Sequence, residues 1–387
     1  MEFNFSTANE IHFGPGIARS LSDFIPGQTG RCFVLTGSSP ERHREVINNL
    51  ANKGKQAETA SVVSEPTIET INSLVRQATL FNPEVVIGIG GGSVIDAGKA
   101  IAALVANPGD PLDYLEVVGK GLPLTHPAIP YMAIPTTAGT GSEVTRNSVI
   151  GVPVKGVKVS LRSPSMLPRW AVVDPELTYQ LPHAIAAYTG MDALIQCFEA
   201  YLSRYANPIT EGIALEGLRR AARSLRKACS DTINPEAKED MCVASLCSGI
   251  ALANSKLGAV HGFAGPIGGM IDAPHGALCA SLLLPVIRMN VEVANRRDPD
   301  GTVSRKLDQV AKVLTGNTSA NAHYAIAWID SLIKDLPLKS LADLGFQSSQ
   351  IPQAVEMSAK SSSMKGNPVD LELADLREIL QDSLEIH

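Results

Sequence analysis

Asp192 and Gln196 stand four positions apart in the run Gly190-Met191-Asp192-Ala193-Leu194-Ile195-Gln196-Cys197-Phe198-Glu199. On a helix that spacing projects both side chains from one face, so their oxygens can meet on a single ion. Two histidines further along, His261 and His275, the second within Pro274-His275-Gly276, can complete the donor set. Carboxylate and imidazole ligands suit Fe(II) or Zn(II), and either cation polarises a carbonyl or stabilises an alkoxide. A histidine taken singly is more often a packed or surface residue, so the chemistry depends on convergence of the set.

A second cluster is Gly88-Ile89-Gly90-Gly91-Gly92-Ser93-Val94-Ile95-Asp96-Ala97-Gly98-Lys99. Three consecutive glycines between a buried strand and a helix let backbone approach a phosphate, whose charge then faces the helix amino terminus. The spacing is not that of a Walker A loop, since five residues separate Gly92 from Gly98 and Ala100 stands where a magnesium-binding hydroxyl belongs. Nor does the cluster lie in the first βα turn, where the usual dinucleotide fingerprint sits. A third cluster, Pro135-Thr136-Thr137-Ala138-Gly139-Thr140-Gly141-Ser142-Glu143, offers hydroxyl donors among small residues that can lie flat against a sugar, phosphate or ring. By itself it is a polar loop.

The elements that must carry these clusters follow from periodicity. Cys32–Thr36, Thr59–Val63, Val85–Ile89 and Tyr131–Ile134 read as strands; segments 41–53, 68–81 and 94–106 read as helices between them. This alternation predicts a parallel sheet with crossover helices, a Rossmann-like α/β unit. Beyond Pro182 the pattern changes to long Ala- and Leu-rich segments at helical spacing, 184–204, 208–228 and 236–253, punctuated by Pro208, Pro235 and Gly258. The expected organisation is residues 1–182 as a dinucleotide-binding α/β domain and 183–387 as an all-helical metal and substrate domain.

Composition narrows the function classes. Of 387 residues 44% are hydrophobic and 19% charged, which fits a folded globular chain, and the net charge of −6 comes without any basic stripe, so nucleic acid is not an expected partner. The densest basic stretch, Arg219 to Lys227, has the spacing of one solvated helix face. No amino-terminal signal pattern is visible, and Gly, Pro or charge interrupts the apolar stretches before the length of a membrane span, so a cytoplasmic protein with no membrane partner is expected. The six cysteines form no CxxC pair and read as reduced, mostly buried thiols without assigned chemistry.

Taken together, Gly90-Gly91-Gly92-Ser93 with Asp96 and Lys99, Pro135 to Glu143, Gly190-Met191-Asp192-Ala193-Leu194 and Pro274-His275-Gly276 resemble the iron-containing alcohol dehydrogenase superfamily over nearly the whole chain. Lys158-Val159-Ser160, Val173-Asp174-Pro175 and Leu181-Pro182 support the resemblance. It implies a fold like that of dehydroquinate synthase, with a cleft between the domains holding nicotinamide against a metal-bound substrate oxygen. It further implies cofactor contacts from Gly90, Gly91, Gly92, Ser93, Asp96, Thr136, Thr137, Thr140, Ser142, Lys158 and Leu181. Asp192, His261 and His275 map onto three family metal ligands and carry the catalysis; a homodimer or larger homo-oligomer is expected by analogy.

Two positions depart from the iron-dependent pattern. Gln196 replaces the usual second ligand histidine, and Gly265 replaces a further active-site histidine four residues after His261. An amide oxygen is a harder, weaker donor than imidazole, so a retained metal is expected with Gln196 either ligating or orienting a bound water. Losing the histidine at 265 removes a proton relay and leaves more room for substrate. At the end of the strand 32–36, Gly37, Ser38 and Ser39 stand where an acid commonly holds the ribose 2′-hydroxyl, with Arg42 nearby. This inclines the reading of NAD(P)(H) use toward NADP(H) or both cofactors. The expected function is metal-assisted, NAD(P)-dependent interconversion of an alcohol with an aldehyde or ketone. A metal-independent reductase of the maleylacetate type and a catalytically silent nucleotide-binding relative are the alternatives.

Overall fold

The computed structural model describes residues 2–230, 232–297 and 301–385. The chain falls into two units. One comprises Ser6–Thr137 and Gly141–Tyr179; the other comprises Gln180–His387 with Ala138–Thr140 and Met1–Phe5. The α/β unit runs β1 (Glu10–Phe13), β2 (Arg31–Thr36), α1 (Arg44–Asn52), β3 (Gln56–Ser61), α2 (Ile68–Phe81), β4 (Val85–Gly90), α3 (Gly92–Ala106), the single turn α4 (Pro111–Tyr114), β5 (Tyr131–Pro135), β6 (Asn147–Val152), β7 (Val157–Arg162) and β8 (Trp170–Val173).

Six strands form one sheet in the order β1-β8-β5-β4-β2-β3, every pairing parallel, while β6 and β7 form a separate antiparallel hairpin. Strand side chains alternate, so Cys32, Val34, Ile87, Ile89, Met132 and Ile134 pack on one face with Val46 and Leu50 of α1. Phe33, Leu35, Val86 and Ala133 fill the other face with α2 and α3. Burial on both faces explains why β4 has no polar alternation. A Cβ on Gly88 or Gly98 would lie 2.2 or 2.5 Å from the Tyr131 ring system, so both glycines exist to let that ring sit between strand and helix. Tyr131 then donates to the Ile95 carbonyl at 3.1 Å, seating α3 on the sheet.

The strand expected at 59–63 lies three residues earlier, at Gln56–Ser61, because it pairs with β2 from Arg31↔Gln56 onward and its alternation is weak. β1, the β6–β7 hairpin and β8 carry no expectation from the sequence, although β7 alternates apolar and polar residues from Val157 to Arg162.

The other unit is all-helical: α5 (His183–Leu202), α6 (Pro208–Ala228), α7 (Pro235–Asn254), α8 (Ala259–Met270), α9 (His275–Arg297), α10 (Thr302–Thr315), α11 (Ala322–Asp335), α12 (Ile351–Ala359) and α13 (Leu373–Glu385). Asn207 caps α6 by accepting from Ile209 and Thr210 N–H groups, with Pro208 at the first helical position, a start signal legible in the sequence. The basic run on α6 is tied down: Arg220 and Arg223 both bond Asp240 of α7. The central element is α5, buried along almost its whole length and packed against α6, α7 and α9.

One sequence expectation needs correction. The 23-residue α9 is long and apolar enough to cross a bilayer despite Pro285 and Arg288, but 83% of its apolar window is buried inside the protein, the pattern of a core helix.

Candidate active site

Asp192, Gln196 and Glu199 occupy one stripe of α5, at successive spacings of four and three residues. α7 and α8 meet at a 93° bend, and the bend brings His261, in the first turn of α8, onto that stripe. Glu199 fixes the junction. Its carboxylate accepts from the Val260 N–H at 2.7 Å and the His261 N–H at 3.4 Å, capping α8, and from the imidazole Nδ1 of His261 at 2.7 Å. A Cβ on Gly258 would lie 2.9 Å from that carboxylate, so glycine is required where the chain turns past it.

His275 opens α9, and Gly276 lets α9 touch α5: a Cβ there would lie 2.2 Å from the Tyr188 carbonyl oxygen. The Pro-His-Gly motif thus combines a helix start, a donor and a close-packing residue. His261 Nε2 lies 3.2 Å from Asp192 Oδ1, and His275 Nε2 lies 3.9 Å from the same oxygen. One turn after His275, Cys279 places its sulfur 3.6 Å from His275 Nε2 and 3.7 Å from His261 Nε2. Among the described residues, Asp192, His261, His275 and Cys279 form a group whose ligand atoms all lie within 4.8 Å of one another. Asp192 and His261 are buried, with side chains 3% and 7% exposed, whereas His275 is 42% exposed and gives the cluster its open flank.

The electrostatics of the cluster follow from this packing. Burial works against the Asp192 carboxylate, but the His261 hydrogen bond and the His275 charge hold it below its ordinary range. Burial likewise disfavours charged His261, yet Cys279, Asp192 and Glu199 raise it well above its usual value. His275 is raised to about 9, first by the Cys279 thiolate. Burial would raise the Cys279 thiol, and the two imidazoles bring it below its ordinary value. An acidic carboxyl and an acidic thiol therefore sit in a buried space with two imidazoles, an environment in which one divalent cation can replace the protons that otherwise balance them. The donor chemistry fits a transition metal. Glu199 fits as well, since it holds Nδ1 and leaves His261 Nε2 for the ion.

Gln196 lies beside Asp192 and Ser248. Its Nε2 donates to Asp192 Oδ2 at 3.1 Å, and its Oε1 accepts from Ser248 Oγ at 3.0 Å. The amide oxygen is engaged by α7, so Gln196 acts as a positioning residue for Asp192. Ser248 Oγ, which has one proton to share among its acceptors, also lies 2.8 Å from the Ser245 carbonyl and 3.3 Å from the Gly139 carbonyl of the Ala138–Thr140 segment. Glu199, Ser248 and Cys279 carry no expectation from the sequence; Glu199 lies seven residues after Asp192 and Cys279 four after His275, spacings that share a helix face.

In the α/β unit, the Gly90–Ser93 loop joins β4 to α3, and Gly91 caps α3 with no side-chain bond and no acid in the first turn. A Cβ on Gly90 would fall 2.4 Å from Val94, so that position must stay bare, whereas one on Gly91 would meet Thr137 at an ordinary contact distance of 3.5 Å. A bare helix amino terminus beside Thr136 and Thr137 fits a pyrophosphate. Gly37, Ser38 and Ser39 follow β2 on the same carboxyl edge of the sheet.

The remaining expected cofactor contacts have these partners. Asp96 accepts from Ser142 Oγ and from the Val149 N–H at 2.9 Å, and it pairs with Lys99 at 3.0 Å. Fully buried Lys99 also donates to Ser142 O, Ser142 Oγ and Thr145 Oγ1. Asp96 and Ser142 thus hold the loop after β5 in shape, because their polar atoms are committed to one another. Lys158 pairs with Glu65 at 2.5 Å. Leu181 lies just before α5, and Thr140 groups with the helical unit.

The comparisons with known proteins agree with this geometry. Residues 8–175 match the family described as iron-containing alcohol dehydrogenase, and residues 186–384 match the carboxy-terminal part of the same family. The chain is 38% identical over 291 residues to 1,3-propanediol dehydrogenase of Klebsiella pneumoniae, covering 74% of this chain and 72% of that one. A crystal structure of 1,3-propanediol oxidoreductase superposes with a TM-score of 0.90 at 30% identity, over 99% of this chain and 100% of that one. The NAD+ complex of sulfoacetaldehyde reductase from Bifidobacterium kashiwanohense superposes with a TM-score of 0.88 at 26% identity, over the full length of both chains. The chain belongs to the iron-containing alcohol dehydrogenase family and is an oxidoreductase that interconverts alcohols and aldehydes with NAD(P) and a divalent metal.

Proposed function

We propose that Asp192, His261 and His275 hold the divalent metal and that the Gly90–Ser93 loop, with Thr136 and Thr137, holds the cofactor pyrophosphate and adjoining sugar. The single observation that carries this reading is the convergence of three donor atoms from α5, α8 and α9 into one buried cluster with His261 oriented by Glu199. When bound, the metal supplies a Lewis acid for the substrate oxygen and the nicotinamide supplies or accepts the hydride. The chain's own part is positional. Gln196 and Glu199 orient two donors, the buried walls exclude water, and the exposed side of His275 is where a small substrate enters.

The substrate class is a small alcohol, diol or aldehyde. A Cβ on Gly265 would meet nothing within 4 Å, so the position keeps open space on α8 one turn after His261. That space accommodates a bulkier substrate or the water that relays a proton in the histidine's absence. Cofactor use is NADP(H) or both forms, since Gly37, Ser38 and Ser39 present no carboxylate to repel a 2′-phosphate. We place the protein in the cytoplasm, where its six free cysteines would stay reduced, and as a homo-oligomer.

A screen of short alcohols, diols and aldehydes with NADH and NADPH, followed at the nicotinamide absorbance, tests this reading. Turnover of at least one such substrate with NADPH is expected. Strong selectivity for NADH overturns the cofactor assignment, and absence of any turnover overturns the substrate class.

A further inference from the structure

We propose that Cys279 is a metal ligand, completing an Asp192–His261–His275–Cys279 set in which a thiolate takes the coordination place that Gln196 does not fill. The inference rests on the metal reading of the same site. Its first support is distance. With metal–sulfur and metal–nitrogen bonds of about 2.3 and 2.05 Å, a tetrahedral ion separates sulfur from nitrogen by about 3.6 Å. Cys279 Sγ lies 3.6 Å from His275 Nε2 and 3.7 Å from His261 Nε2. Two further edges, from Asp192 Oδ1 to the two imidazoles at 3.2 and 3.9 Å, bracket the value of about 3.3 Å that nitrogen and oxygen ligands would give.

The second support is direction. Both imidazoles present Nε2 to the sulfur and to the same Asp192 oxygen, so the four donor atoms cluster within 4.8 Å of one another. Cys279 is buried, and its sulfur lies against both imidazoles. The third support is the Gln196 amide, whose oxygen is held by Ser248 and whose nitrogen donates to Asp192. An amide turned this way supplies no ligand, and the i, i+4 pair His275 and Cys279 on α9 supplies the missing one.

The consequence is a change in metal preference and acidity. Asp192 and the Cys279 thiolate carry two negative charges against the ion's two positive ones, and binding expels the thiol proton to solvent. A soft thiolate favours Zn(II) over Fe(II), and the neutralised ion is a milder Lewis acid than one with a single anionic ligand.

Cobalt substitution reads the sulfur directly. The full-length protein is stripped with chelator, loaded with Co(II), and compared with Cys279→Ser and with Cys247→Ser, which alters a cysteine on α7 outside the cluster. Wild type and C247S should show a near-ultraviolet thiolate-to-cobalt charge-transfer band. C279S should still bind Co(II) through the other three ligands, lack the band, and hold Zn(II) more than about 100-fold more weakly, beyond the loss typical of removing a ligand's hydrogen-bond partner. Thermal unfolding of stripped C279S confirms a folded variant; if it does not fold, the wild-type spectrum alone decides. Bound Co(II) without the band in wild type, or a band unchanged in C279S, overturns the role of Cys279 and leaves the other three ligands standing. No Co(II) bound to wild type overturns this inference and the metal reading together.

Discussion

Removing the Glu199 carboxylate should weaken both the fold and the metal site, in amounts that follow from its three bonds. In Glu199→Ala, α8 loses its cap, because Val260 and His261 N–H groups bonded at 2.7 and 3.4 Å have no replacement acceptor. That loss costs about 1 kcal/mol. The His261 Nδ1, bonded at 2.7 Å and buried, is stranded as well, at about 1–3 kcal/mol. The metal-free variant should therefore unfold about 2–4 kcal/mol more easily by urea titration. Glu199→Gln keeps one acceptor oxygen of nearly the same shape, so it should lose about half as much. With the imidazole no longer oriented, Zn(II) affinity measured by chelator competition should fall by about 10–100-fold in Glu199→Ala. Wild-type urea midpoint and wild-type zinc affinity in that variant would refute the reasoning, because they would mean that the carboxylate neither caps α8 nor orients the ligand.

Other consequences follow from groups elsewhere in the two units. Lys99→Met should cost about 3 kcal/mol in urea unfolding, since it leaves partly buried Asp96 facing an apolar chain in place of an ammonium 3.0 Å away; a loss under about 1 kcal/mol would contradict the structural role given to Lys99. Glu143 is buried with one oxygen unpartnered, and burial raises its pKa from 4.5 to about 7. Its folded form binds the proton more tightly than its unfolded form, so stability should fall by about 3 kcal/mol as pH rises from 4.5 to 7, and Glu143→Gln should remove that part of the slope; identical slopes in the two proteins would contradict it. Gly276→Ala should push α9 from α5 and abolish stoichiometric zinc binding while circular dichroism still reports a helical protein; full zinc content in a folded variant would show that the close approach is not needed.

Much of this is legible in the residues, for identifiable reasons. α2, at Ile68–Phe81, and α6, at Pro208–Ala228, combine strong amphipathic spacing with caps at Thr67 and Asn207, so pattern and terminus signals agree. β4 and the glycine loop are visible because a doubly buried strand has an unmistakable composition. Asp192, His261 and His275 can be named because the motifs that carry them resemble those of the family's metal ligands. What is not legible depends on tertiary direction. The side of the Gln196 amide that faces Asp192 is set by Ser248, 52 residues away, and no local pattern encodes it. Asp96 follows the glycines in sequence, but its partners Ser142 and Val149 lie beyond β5 and no local pattern names them. Cys279 escapes because cysteine spacing speaks only to pairing among cysteines, whereas its neighbours are histidines.

The central claim is that three side chains from α5, α8 and α9 bind one catalytic cation. Metal content per chain and turnover, measured on protein purified without chelator and on Asp192→Ala and His275→Ala, test it most directly. About one divalent ion per chain is expected in wild type, with both metal and turnover lost in the variants while nicotinamide cofactor binding survives. A wild-type rate in fully metal-stripped protein would contradict the account.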